Sequence, residues 1–187
     1  MTDKIKYAII GAGCMGQEHI LNIEIIEDAE VVALCDTSEQ SIKECLELLN
    51  NEVAIFEDYN ELVRANIADA FIIATPNFTH IDVLKDVMKS EAHLLIEKPL
   101  CTTVKDCQEF EELSKNYPGV IWTAMEYRYM PPVQRMIQEI HNKTIGDLKM
   151  LSIREHRFPF LHKVDDWNRF TIKTGGTLVE KCCHFFD

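Results

Sequence analysis

The chain has 187 residues, enough for one domain and part of another. Hydrophobic residues make up 47% and charged residues 27%, a balance that supports a packed core. The formal net charge of −12 has no basic cluster to offset it, which argues against nucleic acid and anionic membranes as partners, and no apolar run is long enough to predict a transmembrane helix.

In chain order, strands and helices alternate. The N-terminus runs straight into an apolar strand, Ile5–Ile10, leaving no room for a signal peptide, and a cytoplasmic location is expected. Residues 15–26 read as a helix and residues 30–35 as a second strand. A helix over 38–49 follows, with Ser38 as its cap, then a short strand over 53–56. Asp58 caps a helix over 59–64. Strand 70–74, helix 78–89, strand His93–Ile96, helix 103–115 (opened by Thr102 or Thr103) and strand 120–125 complete the series. Unbroken apolar runs such as Phe71-Ile72-Ile73-Ala74 suit strands buried on both faces. The alternation predicts an α/β fold with a doubly wound parallel sheet over residues 1–125.

From residue 126 the rhythm changes. Pro131 and Pro132 open a helix to His141, and Gly146-Asp147 turns into a predicted strand over 148–155. An irregular stretch over 157–174 carries Trp167, and a helical pattern covers 177–186. One strand cannot form a sheet. Residues 126–187 therefore read as the start of a second domain that is cut short or completed from outside this chain.

The most specific motif is Gly11-Ala12-Gly13-Cys14-Met15-Gly16 between strand and helix, with Asp36 closing the second strand. Gly11 permits the tight turn, Gly13 lets a pyrophosphate approach the backbone, and Gly16 lets the helix pack close. The helix N-terminus offers N–H groups to phosphate, and Asp36 can accept from ribose hydroxyls. The plainer alternative is a glycine turn that only packs. Asp36 favours NAD over NADP, because a carboxylate repels a 2′-phosphate and no arginine follows closely.

Thr75-Pro76-Asn77 and Glu97-Lys98-Pro99 each follow a strand, where ligands sit in doubly wound folds. Thr75 or Asn77 can line a cofactor cleft, and Asn77 can equally cap the next helix. His80 reads as structural. Lys98 is a surface lysine on sequence alone, or a cleft lysine able to hydrogen-bond a substrate hydroxyl or move a proton. Pro99 fixes the local backbone and is compatible with a cis bond. The seven cysteines include no CxxC pair; free thiols are expected, and no metal site is predicted.

These motifs, with His19 and His80, resemble the glucose–fructose oxidoreductase/inositol dehydrogenase (Gfo/Idh/MocA) family. Residues 175–187, which carry Glu180, His184 and Asp187, are similar to that family's helix of acid, histidine and aspartate. The resemblance spans essentially the whole chain. It implies a Rossmann domain followed by an open-sheet α/β domain that binds substrate, in a protein nearly twice this length that assembles into homo-oligomers. It implies Lys98 and His184 as the catalytic pair with Glu180 near the substrate. It adds Cys14, Met15, Pro76, His80, Glu97 and Lys98 to the cofactor-contacting set of Gly11, Gly13, Gly16, Asp36, Thr75 and Asn77. The chain departs from the family's pattern at Glu180 (usually aspartate), at Cys182 or Cys183 (usually small), and at Glu126 (often asparagine).

On one helix, Glu180, His184 and Asp187 would share a face, and an acid one turn from a histidine can orient it. His184 would take the hydroxyl proton as hydride passes to NAD, with Lys98 steadying the oxygen. The implied substrate is a sugar, an inositol-like polyol or a related small alcohol; a cyclic alcohol such as a dihydrodiol and a non-catalytic cofactor-binding regulator or scaffold are the alternatives. Trp167 is expected near the cofactor or in a packing role. Arg128 and Arg157 are expected as anion contacts or surface residues, and His93, His141 and His162 as structural or surface residues.

Overall fold

The structure, a computed structural model, describes residues 4–156 and 162–187; Arg157 lies outside them. Six strands form one parallel sheet: β1 (Ile5–Ile10), β2 (Ala29–Cys35), β3 (Ala54–Phe56), β4 (Ala70–Ile73), β5 (His93–Ile96) and β6 (Ile121–Thr123), in the order β3-β2-β1-β4-β5-β6. The doubly wound expectation is met. The chain winds outward in one direction from β1 to β3, then crosses back to β4 and winds the other way. The reversal lies between β1 and β4, and such a switch point opens a crevice at the C-terminal strand ends.

Strand periodicity sorts side chains onto two faces. Ile9, Leu34 and Ile72 share one face with Ile20 and Ile23 of α1 (Cys14–Glu24) and Ile42 and Cys45 of α2 (Glu39–Leu46). Ala8, Ile10, Phe71 and Ile73 face the other way, against Leu62 of α3 (Tyr59–Ala65), Val83 and Leu84 of α4 (His80–Val87), and Phe110 of α5 (Val104–Ser114). All four residues of β4 are buried, as its unbroken apolar run predicts. Capping follows the sequence at three helices: Ser38, Asp58 and Thr103 accept from the backbone N–H of Ser41, Asn60 and Asp106. Asn77 does not cap. It opens a 3-10 turn, Asn77–Thr79, and α4 starts one turn later at His80.

The second part departs further from expectation. A 3-10 turn, Glu126–Tyr129, leads into α6 (Pro131–His141), as the two prolines predict. The predicted strand over 148–155 does not form, and no strand follows β6 among the described residues. A strand needs a neighbour for its N–H and C=O groups, and among the described residues no strand pairs with this stretch. The predicted helix over 177–186 is broken. It forms α8 (Thr177–Glu180) and α9 (Cys183–Phe186), which follow α7 (Thr171–Thr174) and a 3-10 stretch over Val164–Arg169. Glu180 and His184 thus sit on separate turns, not one turn apart on one helix. No described helix is long and apolar enough to cross a membrane.

Candidate active site

Sheet hydrogen bonds continue one residue past the strands. Gly11 N–H donates to Cys35 O, Ala74 N–H to Ile10 O, and Glu97 N–H to Ile73 O, each at 2.8 Å. The loops carrying the candidate residues therefore leave the sheet in fixed register, side by side.

Gly11 has φ +101, and a Cβ there would lie 2.5 Å from the Ala74 carbonyl carbon; both conformation and space require glycine. A Cβ at Gly16 would lie 2.2 Å from the Gly11 carbonyl oxygen, so this glycine lets α1 close onto the loop. At Gly13 a Cβ would meet nothing within 4 Å, so its flank is open. Gly13 also caps α1 without a side-chain hydrogen bond, leaving N–H groups of the first turn available. This is a cradle suited to phosphate. Cys14 and Met15 form the first residues of that helix.

Asp36 holds the same loop. Its Oδ2 accepts from Ala12 N–H at 2.7 Å and its Oδ1 from Ser38 N–H at 2.8 Å. A carboxylate has about four acceptor positions, so these two bonds leave capacity for hydroxyls. Asn77 is 7% exposed, and its Nδ2 has no hydrogen-bond partner among the described residues. A buried amide donor left without a partner is costly, and beside a dinucleotide cleft it suits a ligand acceptor. The residues present fit NAD.

His80 is fully buried, as its structural reading expects. Its Nδ1 lies 2.9 Å from Pro99 O and its Nε2 3.0 Å from Thr75 O. The ring lies between the two loops, one carrying Thr75-Pro76-Asn77 and the other Glu97-Lys98, and as a neutral imidazole it donates to one of these carbonyls at a time. Burial lowers its pKa, with the carbonyls acting in the opposite direction. The Lys98–Pro99 bond is cis. Glu97 is 6% exposed and its carboxylate is occupied by His19 Nε2 at 2.9 Å.

Lys98 Nζ reaches back to Glu180 O at 3.5 Å. Burial raises the Glu180 pKa, and Lys98 and Lys163 partly offset it. His184, whose side chain is 1% exposed, places Nε2 3.4 Å from Glu126 Oε1. Its ring stacks on Tyr127 at 4.2 Å between centroids and 10° between planes. Partial burial raises the Glu126 pKa, and the Glu97 charge adds to the rise while Lys98 and Lys181 oppose it. Three consecutive residues thus engage the last stretch: Glu126 meets His184, Tyr127 meets Lys181, and Arg128 meets Asp187. Arg128 is engaged by this ion pair.

The sequence assigned no role to Glu126, Tyr127 or Lys181. The partial signal was Glu126 standing where the resembled family often has asparagine. Trp167 packs its ring edge against Phe78 at 6.3 Å, and Lys173 Nζ lies 5.3 Å from the Phe78 ring. Among the described residues no cluster of His, Cys, Asp and Glu forms a metal site, and all seven cysteines are free.

Comparison with known proteins agrees with this geometry. Residues 5–125 match the family model GFO_IDH_MocA, described as an oxidoreductase family with an NAD-binding Rossmann fold, and residues 137–187 match its C-terminal alpha/beta domain. Myo-inositol 2-dehydrogenase of Thermotoga maritima is 27% identical over 183 residues, 98% of this chain and 53% of that protein. An NAD-binding protein from Listeria innocua has a similar fold, with a TM-score of 0.79 at 20% identity, covering 98% of this chain and 53% of that one. So does scyllo-inositol dehydrogenase from Lactobacillus casei, solved with NAD(H) and scyllo-inositol, with a TM-score of 0.72 at 22% identity over 78% of this chain and 43% of that one. The chain spans about half the length of the curated relatives it matches. The glycine cradle, the acid that closes β2 and the two consecutive domain matches lead to one conclusion: the chain belongs to the Gfo/Idh/MocA oxidoreductase family and carries its NAD-binding Rossmann domain and part of its C-terminal α/β domain.

Proposed function

We propose that the full-length protein is an NAD-dependent dehydrogenase that oxidises a CH–OH carbon of a sugar, an inositol-like polyol or a related small alcohol. The supporting observation is the convergence of Lys98 with the Glu126–His184 pair beyond the C-terminal strand ends. Lys98 Nζ lies on Glu180 O, Glu126 is within electrostatic reach of Lys98, and Glu126 contacts His184. The inositol substrates of the relatives point the same way.

In this reading NAD, held by the glycine loop, Asp36 and Asn77, supplies the hydride acceptor. Lys98 donates a hydrogen bond to the substrate oxygen and stabilises charge as it develops there. His184 receives the hydroxyl proton. Glu126, with a side chain 56% exposed, stands between the buried imidazole and water and passes the proton outward. Glu180 lies beside the substrate. The seven free thiols suit a cytoplasmic setting. Assembly into homo-oligomers belongs to the same reading.

The near-complete burial of His184 favours one other reading, a regulator that binds the cofactor without turnover. The test uses the full-length protein with NAD and a panel of inositols, sugars and cyclic alcohols. Reduced nicotinamide should form with at least one of them. Lys98→Ala should cut turnover by about 10²–10⁴-fold, far more than it weakens NAD binding. Cofactor binding without reduction across the panel would favour the regulator, and turnover that survives Lys98→Ala would remove the role given to that lysine.

A further inference from the structure

Lys181 has no part in the chemistry above, yet it is one of the most buried charged residues described. Its side chain is 9% exposed. An ammonium in such surroundings is unfavourable unless it is paired and hydrogen-bonded. Lys181 Nζ donates to the Tyr127 hydroxyl at 2.5 Å and lies 3.5 Å from Glu155 Oε1. The Tyr127 hydroxyl donates in turn to the same Glu155 oxygen at 2.9 Å. The three groups close a triangle. The ammonium donates a hydrogen bond to the phenol oxygen, the phenol hydroxyl donates one to the carboxylate, and the carboxylate balances the ammonium charge. The Phe185 ring, 5.8 Å from Nζ, flanks the lysine.

The triangle grips one end of a ring whose face is in use. Tyr127 stacks flat on the His184 imidazole, while His184 Nε2 faces Glu126. A stacked neighbour sets the plane of a ring, and a hydrogen-bonded hydroxyl sets where that neighbour can lie. Lys181 lies in the break between α8 and α9 and His184 lies in α9, so no shared helix holds them in register. Tyr127 connects them instead.

We propose that Lys181 is a positioning residue. Together with Glu155 it pins the Tyr127 hydroxyl, and through the stacked ring it fixes the plane of the His184 imidazole and its aim at Glu126. The consequence for turnover rests on the dehydrogenase reading; the control of the imidazole does not.

The experiment uses the full-length protein labelled with ¹³C at histidine Cε1, with His184→Asn identifying the His184 signal. A proton over an aromatic face is shifted upfield by the ring current, so the wild-type Hε1 resonance should lie upfield of exposed histidines. Lys181→Met should move it downfield, and Lys181→Arg should restore much of the shift. Tyr127→Phe keeps the ring and removes the gripped hydroxyl. It should move the signal as Lys181→Met does, and it decides the matter if Lys181→Met does not fold. In turnover, Lys181→Met should lower kcat by about 10–100-fold with KM little changed. An unmoved His184 signal in folded Lys181→Met or Tyr127→Phe would overturn the proposal. A wild-type protein with no turnover would count against the dehydrogenase reading alone, because the resonance still decides the role of Lys181.

Discussion

Arg128 and Asp187 form a two-point ion pair across 59 positions of sequence, Nε donating to Oδ2 at 2.7 Å and Nη2 donating to Oδ1. The guanidinium holds the Asp187 carboxyl below its ordinary range. A depressed folded-state pKa stabilises the fold above the unfolded value, and that stabilisation is lost as pH falls through the folded one. Arg128→Ala should therefore lower the thermal midpoint at neutral pH, with the gap to wild type closing in acid. A gap that does not change with pH would show that the ion pair is not its source.

Glu126 carries the opposite sign. Partial burial, with Glu97 adding to it, raises its folded-state pKa. The ionised form therefore weakens the fold above that raised value, and the penalty disappears below the ordinary carboxylate range. Glu126→Gln should raise the thermal midpoint modestly at neutral pH, with no gain in acid, and should slow turnover by removing the proton outlet. The side chain is half exposed, so solvent screening keeps the stability effect small. Paired melting curves and initial rates across pH check both effects, and an unchanged rate would remove Glu126 from the proton path.

Two glycines of one motif should respond differently to the same methyl group. Gly16→Ala drives a Cβ into the Gly11 carbonyl oxygen, a backbone atom that cannot swing away. It should cost about 1–3 kcal/mol of stability. Gly13→Ala meets nothing and should fold like wild type, yet weaken NAD by about tenfold or more, the scale of 1.4 kcal/mol. Chemical denaturation and cofactor titration separate the two. Unimpaired NAD binding by Gly13→Ala would mean that the phosphates do not pass there.

Asp36→Asn keeps one acceptor for the Ala12 or Ser38 N–H and removes the charge. NAD should bind about tenfold more weakly, and the preference for NAD over NADP should narrow, because the repulsion of a 2′-phosphate is gone. Fluorescence titration with both nucleotides measures this. An unchanged ratio would place cofactor discrimination elsewhere.

The sheet was legible because each strand carries its own signal. The run Phe71-Ile72-Ile73 is buried on both faces, as an unbroken apolar run requires, and Ser38, Asp58 and Thr103 cap where their hydroxyls and carboxylate allow. Legibility failed where structure depends on distant partners. Residues 148–155 have strand composition, but no described strand pairs with them. The 177–186 pattern has helical periodicity, but the chain breaks at Lys181 and Cys182, where Lys181 turns inward to Tyr127 and Glu155. A lysine between a glutamate and a cysteine reads as a solvent-facing residue, because its partners lie 54 and 26 positions earlier in the chain. His80 reads as structural from its place in the first helical turn, and its ring nitrogens face two backbone carbonyls that lie 19 positions later and five positions earlier in the chain.

The edge contact between Phe78 and Trp167 gives the 3-10 turn over Asn77–Thr79 two neighbours at once. That turn carries the Asn77 Nδ2, which has no hydrogen-bond partner among the described residues, and through Phe78 it contacts the segment that leads to Thr174 and the last helices. The turn therefore lies between the candidate cofactor cleft and that segment, so a shift of the turn on nucleotide binding would be felt at the Trp167 ring. With Trp122 replaced, Trp167 becomes the sole indole, and its emission should report nucleotide arrival at a distance from the chemistry.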